Sequence, residues 1–326
     1  MKKIIEKHYE YMVCTRCMTF NQAQFIVNTL DGFIMQKTNF PALYVIVDDA
    51  STDGETDVIN RYVEKHFQAP FNREETDDYV KYCARRKGND NCVFAVFLLK
   101  FNHYGKKKKW PYFKHLTVAS KYCAMCEGDD YWTDEDKLQR QVDFLENHPL
   151  HSAVAENATE LFTETGNTAL FSEEPPREII IPELIEKRRF ATASILYRTA
   201  ADEAYHQVKH QYDTMLWCFL AKTGKIYYNG IVSSVYRRGP GVTRATDFYK
   251  FAKIEESWIR ELFIYFQEYF KPKQLETTIV NNYVIAANRY LKLKKWNSKI
   301  LLCYKMAWKT DRKLTIKAIY NHFIKV

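Results

Sequence analysis

Ala42-Leu-Tyr-Val-Ile-Val47-Asp-Asp49-Ala-Ser-Thr-Asp-Gly54 decides the fold. Its first six residues are continuously apolar, which suits a strand buried on both faces of a parallel sheet. The run stops at two aspartates and a turn. Glu55 to Phe67 follows with Val58, Ile59, Tyr62 and Val63 at helical spacing. Buried strand, acidic end, turn and helix form half of a strand–helix–strand unit.

The same pattern extends on both sides. Upstream, Tyr11 to Thr15 predicts a strand and Gln22 to Met35 a helix, with Phe25, Ile26, Leu30, Phe33 and Ile34 as its apolar positions. Downstream, Cys92 to Leu99 and Lys121 to Cys126 predict two more strands. The second runs into Glu127-Gly-Asp129-Asp130-Tyr-Trp132, and Thr133 is expected to cap a helix carrying Leu138, Val142 and Leu145. Residues 68–92 are polar and are expected to form an inserted excursion or lid. Lys106 to Lys109 is a basic tetrad in a loop, expected to be a solvated turn. Such alternation predicts a mostly parallel α/β sheet. Beyond residue 150 the pattern is less regular. Phe190 to Tyr197, Ile226 to Tyr228 and Val232 to Tyr236 predict strands, and Asp213 to Leu220 a helix broken by Thr223-Gly224.

From residue 246 every signal is helical. Ile254, Trp258, Ile259, Leu262 and Phe266 share one stripe. Leu301, Tyr304 and Trp308 form another, and Ile316, Ile319, Tyr320 and Phe323 a third. This predicts a catalytic domain over 1–245 and a basic α-helical extension over 246–326.

Composition narrows the class. The 326 residues are 46% hydrophobic and 27% charged, with ten Gly and nine Pro. That excludes collagen-like and low-complexity chains. The apolar run Val93 to Leu99 is seven residues long. A membrane-spanning helix needs about 20. The N-terminus lacks the apolar segment of a secretory signal, so a cytoplasmic location is expected. The net charge of +8 is concentrated at one end: residues 246–326 hold sixteen Lys or Arg against seven Asp or Glu, and the remainder is close to neutral. Eight cysteines include Cys14/Cys17 and Cys123/Cys126. In a strand, residues three apart point to opposite faces, so neither pair can jointly hold a metal without a turn. Buried thiols in a reducing compartment are the expectation.

The chemistry concentrates at strand ends. In an open parallel sheet, ligands bind outside the carboxyl ends of the strands. Asp48, Asp49 and Asp53 fall at one such end, and Glu127, Asp129 and Asp130 at another. Converging carboxylates repel unless a cation joins them, and oxygen ligands with substrate phosphates suit Mg²⁺ or Mn²⁺. Neither G-x-G-x-x-G nor G-x-x-x-x-G-K-[ST] occurs, which disfavours dinucleotide oxidoreductases and P-loop NTPases. No G-x-S-x-G elbow occurs either.

Four segments in order carry a resemblance: Met18-Thr-Phe-Asn-Gln-Ala-Gln-Phe-Ile26, Met35-Gln-Lys-Thr-Asn-Phe-Pro41, Val47-Asp-Asp-Ala-Ser-Thr-Asp-Gly54 and Cys126-Glu-Gly-Asp-Asp-Tyr-Trp-Thr-Asp134. Together they resemble family 2 glycosyltransferases over residues 10–245. The resemblance implies a GT-A fold and transfer of a sugar, with inversion, from a nucleotide-diphosphate donor (a UDP-sugar) to a glycan or lipid-linked saccharide hydroxyl. It implies donor contacts from Thr19, Phe20 and Asn21, with Phe20 stacking on the base. Asp49 would accept a base N–H, and Asp53 belongs to the same donor set. Glu127 and Asp129 stand where the family has its D-x-D, with Glu in place of the first Asp. Asp129 or Asp130 would be the metal ligand. Asp213, in Tyr212-Asp-Thr-Met-Leu-Trp217, matches the family's general base, while Thr192, Ser194 and Trp132 match the acceptor side. The family's histidine after Tyr-Arg is missing from Tyr236-Arg-Arg-Gly. Arg237 or Arg238 is expected to neutralise the diphosphate instead.

Two rival readings keep the same strand ends. A nucleotidyltransferase would need a Gly-rich, basic loop after the first strand, which is lacking. A non-catalytic sugar-nucleotide-binding or scaffold protein would not need Asp49, Asp129, Asp130 and Asp213 together. For the tail, packing on the catalytic domain, pairing with a second subunit, or peripheral attachment to an anionic inner membrane face all fit. Nucleic acid is not expected, because no recognition module accompanies the charge.

Overall fold

The computed structural model describes residues 8–106, 108–239, 247–293 and 295–324, with side chains to Asn321. Lys107 of the basic tetrad, the boundary expected at 245/246 and the Phe323 side chain lie outside these. Two compact units emerge, Met1–Gln207 with Leu216–Pro240, and Val208–Met215 with Gly241–Val326.

The first unit is a mixed α/β sheet flanked by helices. In chain order its elements are β1 (Tyr11–Thr19), α1 (Ile26–Ile34), β2 (Ala42–Asp48), α2 (Glu55–His66), β3 (Phe71–Glu75), β4 (Tyr79–Arg86), β5 (Asn89–Leu99), α3 (Trp110–Val118), β6 (Ser120–Met125), β7 (Tyr131–Trp132), α4 (Lys137–Asn147), β8 (His151–Phe162), β9 (Thr168–Leu170), β10 (Arg177–Ile179), α5 (Ile181–Glu186), β11 (Ile195–Arg198), α6 (Asp213–Thr223, shared with the second unit) and β12 (Lys225–Arg238). The strand order is β10-β12-β8-β11-β6-β1-β2-β5-β4-β3. The central four, β6-β1-β2-β5, are parallel. All seven residues of β2 are buried, as its apolar run requires. Phe33 of α1 stacks on Tyr44 of β2 at 4.9 Å, and Trp132 packs edge-on to Phe33 at 5.1 Å.

Three sequence expectations are corrected. Residues 68–92 are no lid. They form β3, β4 and the start of β5, which extend the sheet by antiparallel pairing. Their polarity reflects an edge position, with β3 exposed throughout. Thr133 does not cap α4, which begins at Lys137 after Asp136. The irregular stretch after 150 hides β8, a twelve-residue strand whose first eight positions are almost all buried and which pairs with β11 and β12. Glu156 and Asn157 interrupt its apolar pattern, and Glu156 is buried because Arg140 and Asn229 satisfy it.

All eight cysteines are buried and free. Cys14 and Cys17 contribute to different core clusters, as opposite strand faces demand.

The second unit is helical: α7 (Phe248–Phe266), α8 (Gln274–Lys292), α9 (Ser298–Thr310) and α10 (Arg312–Ile324). Val280, Tyr283, Val284, Ala287, Ile300, Cys303 and Ala307 build its core. Tyr212 and His210 join it, the first stacking on Trp258 and the second hydrogen-bonding Glu261. The α9 stripe splits: Tyr304 packs against the core beside Ile300, Cys303 and Ala307, whereas Leu301 and Trp308 face outward. No helix among the described residues is long and apolar enough to cross a membrane.

Candidate active site

Parallel pairing brings the carboxyl ends of β1, β2 and β6 to one edge, with Thr19 beside Asp48 and Arg16 beside Met125. Three loops leave this edge. The first two are laced together. Asn21, at φ 54°, accepts the Thr52 N–H at 2.7 Å and donates its own N–H to Ser51 Oγ at 2.8 Å. Asp53 accepts the N–H groups of Ala23 and Glu55 at 2.9 and 3.1 Å. Beneath them lies Glu55, fully buried, accepting from Gln22 N, Ser51 Oγ and the Thr19 hydroxyl. Burial raises its carboxyl pKa while these donors oppose the rise. Sequence reading took Glu55 for a helix start and missed this role. Thr19, Asn21 and Asp53 thus have side chains committed to loop geometry. Phe20 is half-buried between them in sequence.

The third loop holds the charge. Glu127, Asp129 and Asp130 place carboxylate oxygens within 4.8 Å of one another, and among the described residues no other such group of His, Cys, Asp or Glu occurs. Glu127 is exposed, whereas Asp130 is 1% exposed. Burial first, and then the neighbouring Asp129 charge, push the Asp130 pKa up to about 8. Burial likewise raises that of Asp129. Gly128 is obligatory here. A Cβ on it would come within 2.1 Å of Thr19 Oγ1 and 2.5 Å of Gln22 Oε1. Thr29 of α1, unremarked in the sequence, anchors the loop from below by donating towards the Gly128 and Asp130 carbonyls at 3.0 and 2.6 Å.

Arg237 closes the cluster from β12. Its N–H donates to Asp130 Oδ1 at 2.9 Å, and its guanidinium reaches the Asp129 carbonyl and Asn28 Oδ1. The guanidinium lies over the rings of Tyr131 at 4.5 Å and Phe25 at 4.8 Å. Arg238, one residue on, pairs with Glu160. The structure therefore separates two arginines that the sequence left equivalent.

Asp49 is buried, its Oδ1 accepting the His103 N–H at 2.7 Å and its Oδ2 the Lys109 ammonium at 2.8 Å. Lys109 ends the basic tetrad and is tied back to the sheet, against the solvated-turn expectation. On the expected acceptor side, Trp132 is a core residue. It is 1% exposed, donates to the Ala193 carbonyl at 2.7 Å and carries Lys137 Nζ over its ring at 4.7 Å. Thr192 and Ser194 form a buried 3₁₀ turn before β11, the first accepting from Arg188 and the second donating to the Ala191 carbonyl. None of the three presents its side chain to solvent. Arg188 itself lies over Tyr236 and lines a cleft of about 480 Å³ with Phe171, Glu173 and Glu174. Asp213 opens α6 and is grouped with the second unit, whereas the carboxylate cluster belongs to the first.

No family model matches the chain. The S. aureus protein TarS, solved as residues 1–349 with UDP, superposes with a TM-score of 0.52 at 14% identity, covering 97% of this chain and 92% of that one. A mannosyltransferase from Pyrobaculum calidifontis, solved with GDP-Man and Mn²⁺, gives 0.50 at 13% identity over 98% and 91%. The fold is GT-A. Uncharacterized proteins of Mycobacterium tuberculosis and Mycobacterium bovis are each 32% identical over 187 residues, 56% of this chain. The chain spans about 45% of the length of those relatives. At the identities of the two solved proteins the likeness is one of fold. The edge bearing Glu127, Asp129, Asp130 and Asp49 is thus the carboxyl edge of a GT-A sheet.

Proposed function

We propose that this chain is an inverting glycosyltransferase of the family 2 type. It moves a hexosyl group from a UDP-sugar to a hydroxyl of a glycan or lipid-linked saccharide, in the synthesis of a cell-surface polysaccharide or glycoconjugate. The observation that carries this reading is the carboxylate cluster, with Asp130 buried and Arg237 beside it, at the carboxyl edge of a GT-A sheet. The donor set fits a hard divalent cation. Three carboxylates offer oxygen donors within 4.8 Å of one another, and burial raises the pKa of Asp129 and Asp130, a cost that a bound cation would offset. Asp129 and Asp130 would hold Mg²⁺ or Mn²⁺, which supplies Lewis-acid stabilisation of the departing diphosphate when bound. UDP in TarS, and GDP-Man with Mn²⁺ in the mannosyltransferase, support a nucleotide sugar as donor.

The chain's own groups divide the remaining work. Phe20 stacks on the base, and Asp49 accepts a base N–H on the carboxylate lone pairs left by His103 and Lys109. Thr19, Asn21 and Asp53 hold the donor loops in register, and Glu127 reaches a ribose hydroxyl. Arg237 faces the diphosphate, and Arg238 fixes the strand through Glu160. Asp213 takes the acceptor proton as the hydroxyl oxygen bonds to the anomeric carbon and the bond to the diphosphate breaks. Thr192 and Ser194 set the acceptor wall indirectly, through Arg188 and the 3₁₀ turn, and Trp132 supports that turn from the core.

The test is melting temperature against a panel of nucleotides and nucleotide sugars, with and without Mn²⁺. Binding to the native state alone raises it by mass action. A rise with UDP or a UDP-sugar that needs Mn²⁺ and disappears in Asp129→Ala supports the reading. No shift with any nucleotide at millimolar concentration refutes it.

A further inference from the structure

The outward sides of α9 and α10 mix exposed apolar residues with Lys and Arg. Leu301 is 72% exposed, Trp308 44%, Ile316 58% and Tyr320 64%. Soluble helices turn charge outward and apolar residues in. Here the inward positions Ile300, Cys303, Ala307 and Ala318 already fill the core, so the outward residues are surplus to packing. Leu301 and Trp308 are seven residues apart in α9, and Ile316 and Tyr320 four apart in α10, spacings that keep each pair on one side of its helix, with Lys305 and Arg312 exposed near them. The Arg312 guanidinium lies over the Trp308 ring at 5.8 Å, a contact between the end of α9 and the start of α10. Lys309, Lys313 and Lys317 are also exposed. Residues 289–326 contain eleven Lys or Arg and a single acid, Asp311.

We infer that this face docks on an anionic lipid bilayer, lying in the interface with its Trp, Leu and Ile side chains among the acyl chains and its Lys and Arg ammonium and guanidinium groups at the headgroup phosphates. Charge and apolarity must both be accommodated, and this decides the occupant. A second copy of the chain would set Lys and Arg against Lys and Arg. Nucleic acid would satisfy the charge and leave Leu301 and Ile316 in water. An anionic bilayer satisfies both, since long basic side chains reach phosphates while their neighbours insert. The inference is independent of the donor site and holds whatever reaction the first unit performs.

The full chain is sedimented with phosphatidylcholine vesicles, with and without phosphatidylglycerol. The expected result is cosedimentation with the anionic vesicles at low salt, release by high salt, and little binding to neutral ones. Lys305→Glu/Lys309→Glu/Lys313→Glu is expected to lower partitioning about tenfold or more. Leu301→Ser/Trp308→Ser is expected to lower it as well, although every charge is kept. Melting curves matching wild type establish that both variants fold. Failure to bind anionic vesicles at low salt overturns the inference. So does wild-type binding by the charge-reversed variant, a dimer that Leu301→Ser/Trp308→Ser dissociates, or RNA binding that anionic vesicles do not compete.

Discussion

The backbone N–H of Arg237 donates to Asp130 Oδ1 at 2.9 Å, joining the end of β12 to the loop after β6 across 107 positions of sequence. That bond fixes the most buried carboxylate of the cluster while its like-charged neighbour Asp129 opposes ionisation. In the folded chain the Asp130 carboxyl keeps its proton up to about pH 8, against 3.8 for an ordinary aspartate. Between those values the unfolded chain binds fewer protons than the native one, so stability falls as pH rises through the window. Asp130→Asn keeps the acceptor for Arg237 and removes the charge. It is expected to stabilise the metal-free protein at pH 8 by an amount on the order of a few kcal/mol, seen as a higher melting temperature, and to flatten the decline in stability from acid to neutral pH. The same variant is expected to lose the stabilisation by Mn²⁺ that the proposed site predicts for wild type. A lower melting temperature at pH 8 than wild type would contradict this account.

Gly128 tests the loop from its other side. An added methyl meets Thr19 Oγ1 and Gln22 Oε1 well inside van der Waals distance. Those atoms are held by Glu55 and by each other, so they cannot simply turn away. Gly128→Ala is expected to cost about 1–3 kcal/mol of stability, the usual penalty of overpacking. It would also abolish the nucleotide-dependent melting shift. Retention of both wild-type stability and the shift would show that the loop can move.

The central sheet was legible because β2 to Val47 and β5 from Cys92 are continuously apolar, and a doubly covered parallel strand admits little else. The acidic edge was legible because strand ends carry the ligands in such sheets. Glu55 was not, since a glutamate opening a helix is an ordinary sequence feature. Only the packing of Gln22, Ser51 and Thr19 around it reveals the hub. The polarity of β3 and β4 resembled a loop because an edge strand has a solvated face. Trp132 was placed near substrate by its motif, whereas its indole N–H is taken by Ala193 inside the core. The two arginines of β12 could not be separated from sequence, because alternation shows that they diverge and not which one faces the cluster.

A buried ion pair ties β1 to Asp202. Arg16 contacts Asp202 at 3.4 Å, and Tyr197 donates to the same carboxylate at 3.0 Å. Trp110 stacks on His206 at 3.5 Å above it. Removing one member of a buried pair leaves the other charge without compensation. Asp202→Ala is therefore expected to destabilise the chain by about 3–5 kcal/mol, measured by denaturant unfolding. A loss below about 1 kcal/mol would mean that Tyr197 alone suffices for Arg16.

Lys137 offers the opposite case. It is fully buried in α4, donates to Gln141 Oε1 at 2.7 Å and sits over Trp132. Burial lowers its pKa from 10.5 to about 8, although the Glu156 charge opposes the shift. The unfolded chain therefore binds the extra proton between those values, and stability rises with pH across that window. Below it, the buried ammonium costs about 3 kcal/mol. Lys137→Met removes this cost and fills similar volume, but leaves Gln141 Oε1 without its donor, a loss of about 1–3 kcal/mol. The two nearly cancel at neutral pH, so the variant should lie within about 2 kcal/mol of wild type. Lys137→Ala, which also opens a cavity, should fall well below both. The sign of the pH effect is the sharper check. The wild-type gain in stability from about pH 8 to about pH 10.5 should vanish in Lys137→Met, and its persistence would place the titrating group elsewhere.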